Sequence, residues 1–104
     1  MNPRQLQQMA QQMQKQMQKI QEELAATMVE GSAGGGAITV RMNGHRELQS
    51  ISLTPEVVDP TDIEMLQDLL LAAFSDATKK AQELAEQRMG PLMGGMKGGL
   101  PGLF

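Results

Sequence analysis

Few residues of this 104-residue chain are of types that carry out chemistry. The single histidine, His45, sits between Gly44 and Arg46 in a turn. A general base needs an orienting partner, and none is spaced around it, so it reads as a solvated turn residue. Asp59 and Asp62 bracket Pro60 and Thr61 just ahead of a helical pattern, which suits helix capping better than an acid-base pair. The run Gly34-Gly35-Gly36 would cradle a phosphate if a Gly-Lys-Ser/Thr and a helix followed. Strand formers follow instead, so a hairpin turn is expected. Met9, Met13 and Met17 recur every four residues, and their thioethers would suit a soft cation such as Cu(I). With no histidine or cysteine nearby, they read as an adaptable packing surface. The residues therefore predict no catalytic group, no metal site, no cofactor and no small-molecule substrate. The chain is expected not to be an enzyme; the one exception would be a site assembled across a dimer interface.

What remains is charge. The total is -3, which argues against a simple basic nucleic-acid binder, but the signs are segregated. Residues 1 to 21 hold Arg4, Lys15 and Lys19 with no acid, and residues 56 to 76 hold Glu56, Asp59, Asp62, Glu64, Asp68 and Asp76 with no base. From 79 to 97 the bases Lys79, Lys80, Arg88 and Lys97 outnumber Glu83 and Glu86. Any one of these cations alone reads as a solubilising charge. Together they fall on two helical patterns, where two copies of the chain would set them on arms able to straddle a duplex and meet its phosphates.

The elements that must position them are legible in order. The N-terminal segment has glutamine at nine positions between 5 and 21, a prion-like composition, yet its apolar residues keep strict helical spacing. Leu6, Met13 and Ile20 recur every seven residues, with Ala10, Met17 and Leu24 at the alternating offset, a heptad seam over about three repeats. Pro3 suits a first turn, so a helix over about residues 3 to 27, roughly 37 Å long, is expected. Its glutamine-rich polar face has no aromatic anchor, so a membrane-surface helix is not expected. Val29 opens a short first strand, and the glycine run turns it into a second. There Ile38, Val40 and Met42 alternate with Ala37, Thr39, Arg41 and Asn43. Asn43-Gly44 predicts a tight hairpin through positive φ. On the return strand Leu48 lies on one parity and Ile51 and Leu53 on the other, which predicts a bulge near Gln49 and Ser50.

After Thr54-Pro55 come two overlapping helix starts, Asp59 before Pro60 and Thr61 three residues ahead of Glu64. Ile63, Leu66, Leu70, Ala73, Phe74, Ala77, Ala81, Leu84 and Ala85 then mark one face, and Gly90-Pro91 predicts the end. The expectation is an α+β fold, α-β-β-β-α, with a three-stranded antiparallel sheet between two long helices. It occupies residues 1–90, followed by a flexible Gly/Met/Pro-rich tail over 91–104. Strands of about six residues extend only about 20 Å, so neither helix can lie wholly on its own sheet. With two phenylalanines, no tryptophan and no tyrosine, the core is small, and a symmetric homodimer with protruding arms is expected to supply the missing burial. The lack of cysteine, of a secretory leader and of any apolar run approaching about 18 residues points to the cytoplasm and no membrane.

Four features in order make the chain recognisable: the helix QQMQKQMQKIQEEL, the turn VEGSAGGG, the strand ending Met42-Asn43-Gly44, and LQDLLLAAFSDATKKAQE with its acidic lead-in. Over about residues 5 to 90 it resembles the YbaB/EbfC family of bacterial nucleoid-associated DNA-binding proteins. The resemblance implies a tweezer-like homodimer whose helical arms bind double-stranded DNA with relaxed sequence preference, and a nucleoid-organising or gene-regulatory role. By position the DNA-binding residues would be Arg4, Lys15, Lys19, Lys79, Lys80 and Arg88. The alternative is a protein-interaction adaptor without direct DNA binding, whose methionine-lined helices repack around different partners.

Overall fold

Ile38, Val40 and Met42 point to one side of a single strand, and that strand becomes the middle of an antiparallel sheet ordered β1-β2-β3. The computed structural model describes residues 2–97, with side chains to Leu92. In chain order the elements are α1 (Pro3–Ala26), β1 (Met28–Ala33), β2 (Ile38–Asn43), β3 (Leu48–Leu53), a 3-10 turn at Pro55–Val57 and α2 (Ile63–Lys97). This is the expected α-β-β-β-α order, drawn out to 70 × 28 × 16 Å.

Gly34, Gly35 and Gly36 all take positive φ, which makes the turn from β1 into β2 a place where side chains other than glycine are strained. The expected bulge falls on Gln49: Ser50 pairs with Arg41 and Leu48 with Met42, so Gln49 is the extra residue. This brings Leu48, Ile51 and Leu53 onto one face. The β2–β3 connection differs from the two-residue turn expected at Asn43-Gly44. The loop spans residues 44 to 47, positive φ falls on Arg46 (64°), and Gly44 is glycine for another reason. A Cβ there would lie 2.8 Å from the carbonyl oxygen of Leu24, because the hairpin presses on the end of α1.

Helix α2 lies across β1 and β2 through small residues. Ala73, Ala77 and Ala81 are fully buried, and a Cβ on Gly31 would collide with the Ala77 backbone nitrogen and the Ala73 carbonyl oxygen. Glycine facing alanine brings helix and strand backbones together. Ile38, Val40, Met42 and Val57 fill the core beside them, with Leu66, Leu69, Leu70 and Phe74 packed around. Ile63, expected on this buried face, is exposed instead, because it lies a turn ahead of Leu66, where α2 first meets the core. The start of α2 also differs from both expected caps. Asp62 accepts from the Met65 backbone N–H at 3.1 Å and is the capping residue. Asp59 instead accepts from the Thr61 N–H and hydroxyl, so that hydroxyl is not available to cap.

Gly90 and Pro91 do not end α2, which continues through them to Lys97. Proline removes one N–H and leaves the carbonyl of Gln87 without its helical donor. Both Gln87 and Pro91 are exposed, so the helix carries the unpaired carbonyl on a side open to solvent. The remainder of the expected tail, 98–104, lies outside the described residues.

Helix α1 opens on Asn2, whose side chain accepts from the Gln5 N–H at 2.8 Å, with Pro3 in the first turn. Only its last turns meet the body: Leu24 is buried, Met17 and Ile20 are half-buried, and every residue from Asn2 to Gln16 is exposed.

Gly31→Ala should destabilise the fold by about 2–3 kcal/mol or more, since backbone on the far side must give way. Gly35 has open space around it, so Gly35→Ala should cost only the left-handed backbone strain, about 1 kcal/mol. Urea unfolding of the two variants side by side measures the difference.

Candidate nucleic-acid interface

Helical spacing decides which cations can act together. Arg4, Lys15 and Lys19 fall on one face of α1, since steps of eleven and four residues come close to whole numbers of turns. All three are exposed, and among the described residues none has an ion-pair partner. The apolar seam of Leu6, Met13, Met17, Ile20 and Leu24 lies on the opposite side of the helix. It turns toward the body at its C-terminal half.

The C-terminal end of α1 is fixed by the β2–β3 hairpin, which supplies donors to carbonyls of its last turns, those of Leu24 and Ala25 being ones that the helix leaves free. The Gly44 N–H donates to the Leu24 carbonyl at 2.8 Å, Asn43 Nδ2 to the Ala25 carbonyl at 3.2 Å and His45 Nε2 to the Gln21 carbonyl at 2.9 Å. A carbonyl only accepts, so the His45 ring carries its hydrogen on Nε2 in this contact. Asn43 is buried, its Oδ1 accepting from the His45 and Glu47 N–H groups and its Nδ2 also donating to Glu47 Oε1 at 2.7 Å. Sequence reasoning read Asn43 as a turn former and missed it as the residue that joins hairpin to arm. Its strand parity gave no sign of burial; the Asn-Gly pair next to a helix C-terminus was the one available signal.

The cations of α2 are placed differently from expectation. Lys79 and Lys80 lie over the body, since Ala77 and Ala81 on either side are fully buried, and not on a part of the helix past the sheet. Lys79 points to solvent. Lys80 is engaged with the edge strand: its Nζ donates to the Glu30 carbonyl at 3.0 Å and pairs with Asp76 Oδ2 at 3.2 Å. Asp76 Oδ2 in turn accepts from the Ser32 N–H at 3.0 Å, and that bond, then Lys80, holds its carboxyl below the usual aspartate range. Arg88 pairs with Glu23 at 3.3 Å and ties α2 to the last turns of α1. Thus Arg4, Lys15 and Lys19 form one set, Lys79 stands apart from it, and Lys80 and Arg88, each about half exposed, hold elements together.

A second feature is apolar. β2 pairs Ile38, Val40 and Met42 with Leu53, Ile51 and Leu48 of β3. The β2 residues are buried under α2, whereas their β3 partners are 42%, 41% and 47% exposed. Leu71 of α2, 68% exposed, lies nine residues from Lys80 and so ~180° around the helix from the β1 edge. Helix α2 leaves the β3 side of its own sheet uncovered.

The family model of the YbaB/EbfC DNA-binding family matches residues 1–96. A nucleoid-associated protein of Chloroflexus aurantiacus is 76% identical over 98 residues, covering 94% of this chain and 98% of the relative. One of Roseiflexus sp. (strain RS-1) is 72% identical over 102 residues, 98% of this chain and 99% of its own length. Among solved structures, the uncharacterized protein HP0035 from Helicobacter pylori superposes with a TM-score of 0.79 at 25% identity, covering 89% of this chain and 98% of that one.

The Asp76 carboxylate sets a pH dependence of stability. Its folded-state pKa lies below the ordinary 3.8, so the unfolded chain binds the proton more readily. The stabilisation is full above the ordinary value and is lost as pH falls through the lowered one. Asp76→Asn should therefore unfold in less urea than the wild type at about pH 6, with the gap narrowing as pH falls below the ordinary 3.8.

Proposed function

The chain belongs to the YbaB/EbfC DNA-binding family, and we propose that it acts as a homodimer on the nucleoid in the cytoplasm, gripping duplex DNA mainly through its phosphates. The observation that carries this reading is α1, whose free half is exposed on every side and which holds three cations and no acid up to Gln21. Such a rod meets a polyanion without self-repulsion, although the whole chain is acidic. Arg4, Lys15, Lys19 and Lys79 are the phosphate contacts; Lys80 and Arg88 join only by exchanging Asp76, Glu30 and Glu23 for DNA. Bound copies bridging or coating the duplex would organise the nucleoid or regulate genes.

Dimerisation is supported by the uncovered side of the sheet. Leu48, Ile51 and Leu53 extend the buried face of β2, and a second copy seated there would complete the core that one chain leaves open. A twofold pair joined in this way would carry two α1 arms. The exposed Leu6, Met9 and Met13 favour a second reading, a protein-interaction adaptor.

In mobility-shift titrations at 50 and 200 mM salt, affinity should fall steeply, with a slope near -0.9 per phosphate neutralised. The triple change Lys15→Ala, Lys19→Ala and Lys79→Ala should weaken binding to all sequences alike and flatten the slope. Salt-indifferent affinity would remove the phosphate mechanism, and a partner pull-down that survives nuclease and the triple change would favour the adaptor. In sedimentation the wild type should run at twice the 11.3 kDa chain mass and Ile51→Lys at once. A wild-type monomer at micromolar concentration would overturn the dimer.

A further inference from the structure

Beside the row of Arg4, Lys15 and Lys19, displaced around α1 toward Met9, run glutamines in steps of three, four and four: Gln5, Gln8, Gln12 and Gln16. All four are exposed, and among the described residues their side-chain amides have no hydrogen-bond partner. With Met9, Gln5, Gln8 and Gln12 line a shallow groove on the helix surface. Solubility does not account for the choice of residue. Glutamate forms helix about as well as glutamine, dissolves better and would pair with Lys15 and Lys19 at helical spacing. Yet no glutamate appears before Glu22, and Glu22 and Glu23 lie where α1 meets the body. Acids are missing from the part of the helix that stands free.

A side chain that leaves a polyanion unrepelled and presents both a donor and an acceptor matches one feature of duplex DNA well. The amide pairs bidentately with N6 and N7 of adenine at the floor of the major groove. An α-helix with its side chains is about 10–12 Å across, and the groove is about 12 Å wide. The free stretch, residues 2–16, is about 22 Å long, enough to follow the groove for several base pairs. Resting on the DNA-binding reading above, we infer that the free half of α1 is a major-groove reading helix: Gln5, Gln8, Gln12 and Gln16 address adenine edges while Arg4, Lys15 and Lys19 hold the flanking phosphates. Phosphates supply most of the affinity, and the glutamines add a preference for A·T pairs.

The test is fluorescence anisotropy of the full chain with three duplexes of one length at one salt concentration: A·T-rich, G·C-rich, and A·T-rich with 7-deazaadenine, which lacks the N7 acceptor. The wild type should prefer the A·T duplex over the G·C duplex by roughly fivefold or more. Substituting 7-deazaadenine should remove most of that margin. Gln8→Ala with Gln12→Ala should also remove it, with affinity for the G·C duplex and its salt slope unchanged. Alanine preserves the helix, which circular dichroism verifies. Equal affinity for all three duplexes would overturn the inference and leave phosphate binding standing, as would an A·T preference that survives both changes. Failure of the wild type to bind any duplex would overturn the DNA-binding reading and this one with it.

Discussion

The approach of α2 to β1 at Gly31 governs the rest of the molecule. A helix can come this near to a strand only where neither has side chains between the backbones, and Gly31 faces Ala73 and Ala77 there. Close seating on one side of a three-stranded sheet has a geometric result: a single helix centred over β1 and β2 does not reach β3. The bridge from Lys80 and Asp76 to the β1 backbone strengthens the bias by attaching α2 at the far edge. The uncovered residues of β3 therefore follow from the small ones beneath α2.

The arm follows from a different set of contacts. Nothing in the free half of α1 is held by tertiary packing, so its helicity rests on the Asn2 cap, on Pro3 and on residues with good helical propensity. At its other end the hairpin provides two donors, the Gly44 N–H and Asn43 Nδ2, in place of the fourth-residue partners a helix lacks at its C-terminus, and His45 adds a bond to the Gln21 carbonyl. Fold and candidate interface are thus separable. The acids are concentrated ahead of and within the first turns of α2, the bases of α1 stand clear of the body, and Lys80 and Arg88 belong to both.

Much of this was legible in the residue order. Alternation at Ile38, Val40 and Met42 identified the buried face, and the parity break between Leu48 and Ile51 located the bulge to within a residue. Heptad spacing gave α1 its length. The readings that went astray did so where local signals compete or where the cause is distant. Asp59, Thr61 and Asp62 are all of cap-forming types, and only geometry shows which carboxylate meets an N–H three residues on. Gly90-Pro91 is strong punctuation, yet a helix tolerates the loss of a bond on a side open to solvent. Gly44 and Gly31 are glycines because another backbone is near, and the Glu30 carbonyl that Lys80 meets and the Glu23 that pairs with Arg88 lie 50 and 65 residues away in the chain. No spacing rule reaches that far.

The root of α1 is held from Met17 onward while the stretch before it stands unsupported, which makes the helix a cantilever. Over the free residues 3–16, about 21 Å, a tilt of about 8° at the clamp sweeps the tip by about 3 Å. Small adjustments among Asn43, Gly44 and His45 are therefore magnified at Arg4. The position of the tip is set at the hinge, on the opposite end of the rod.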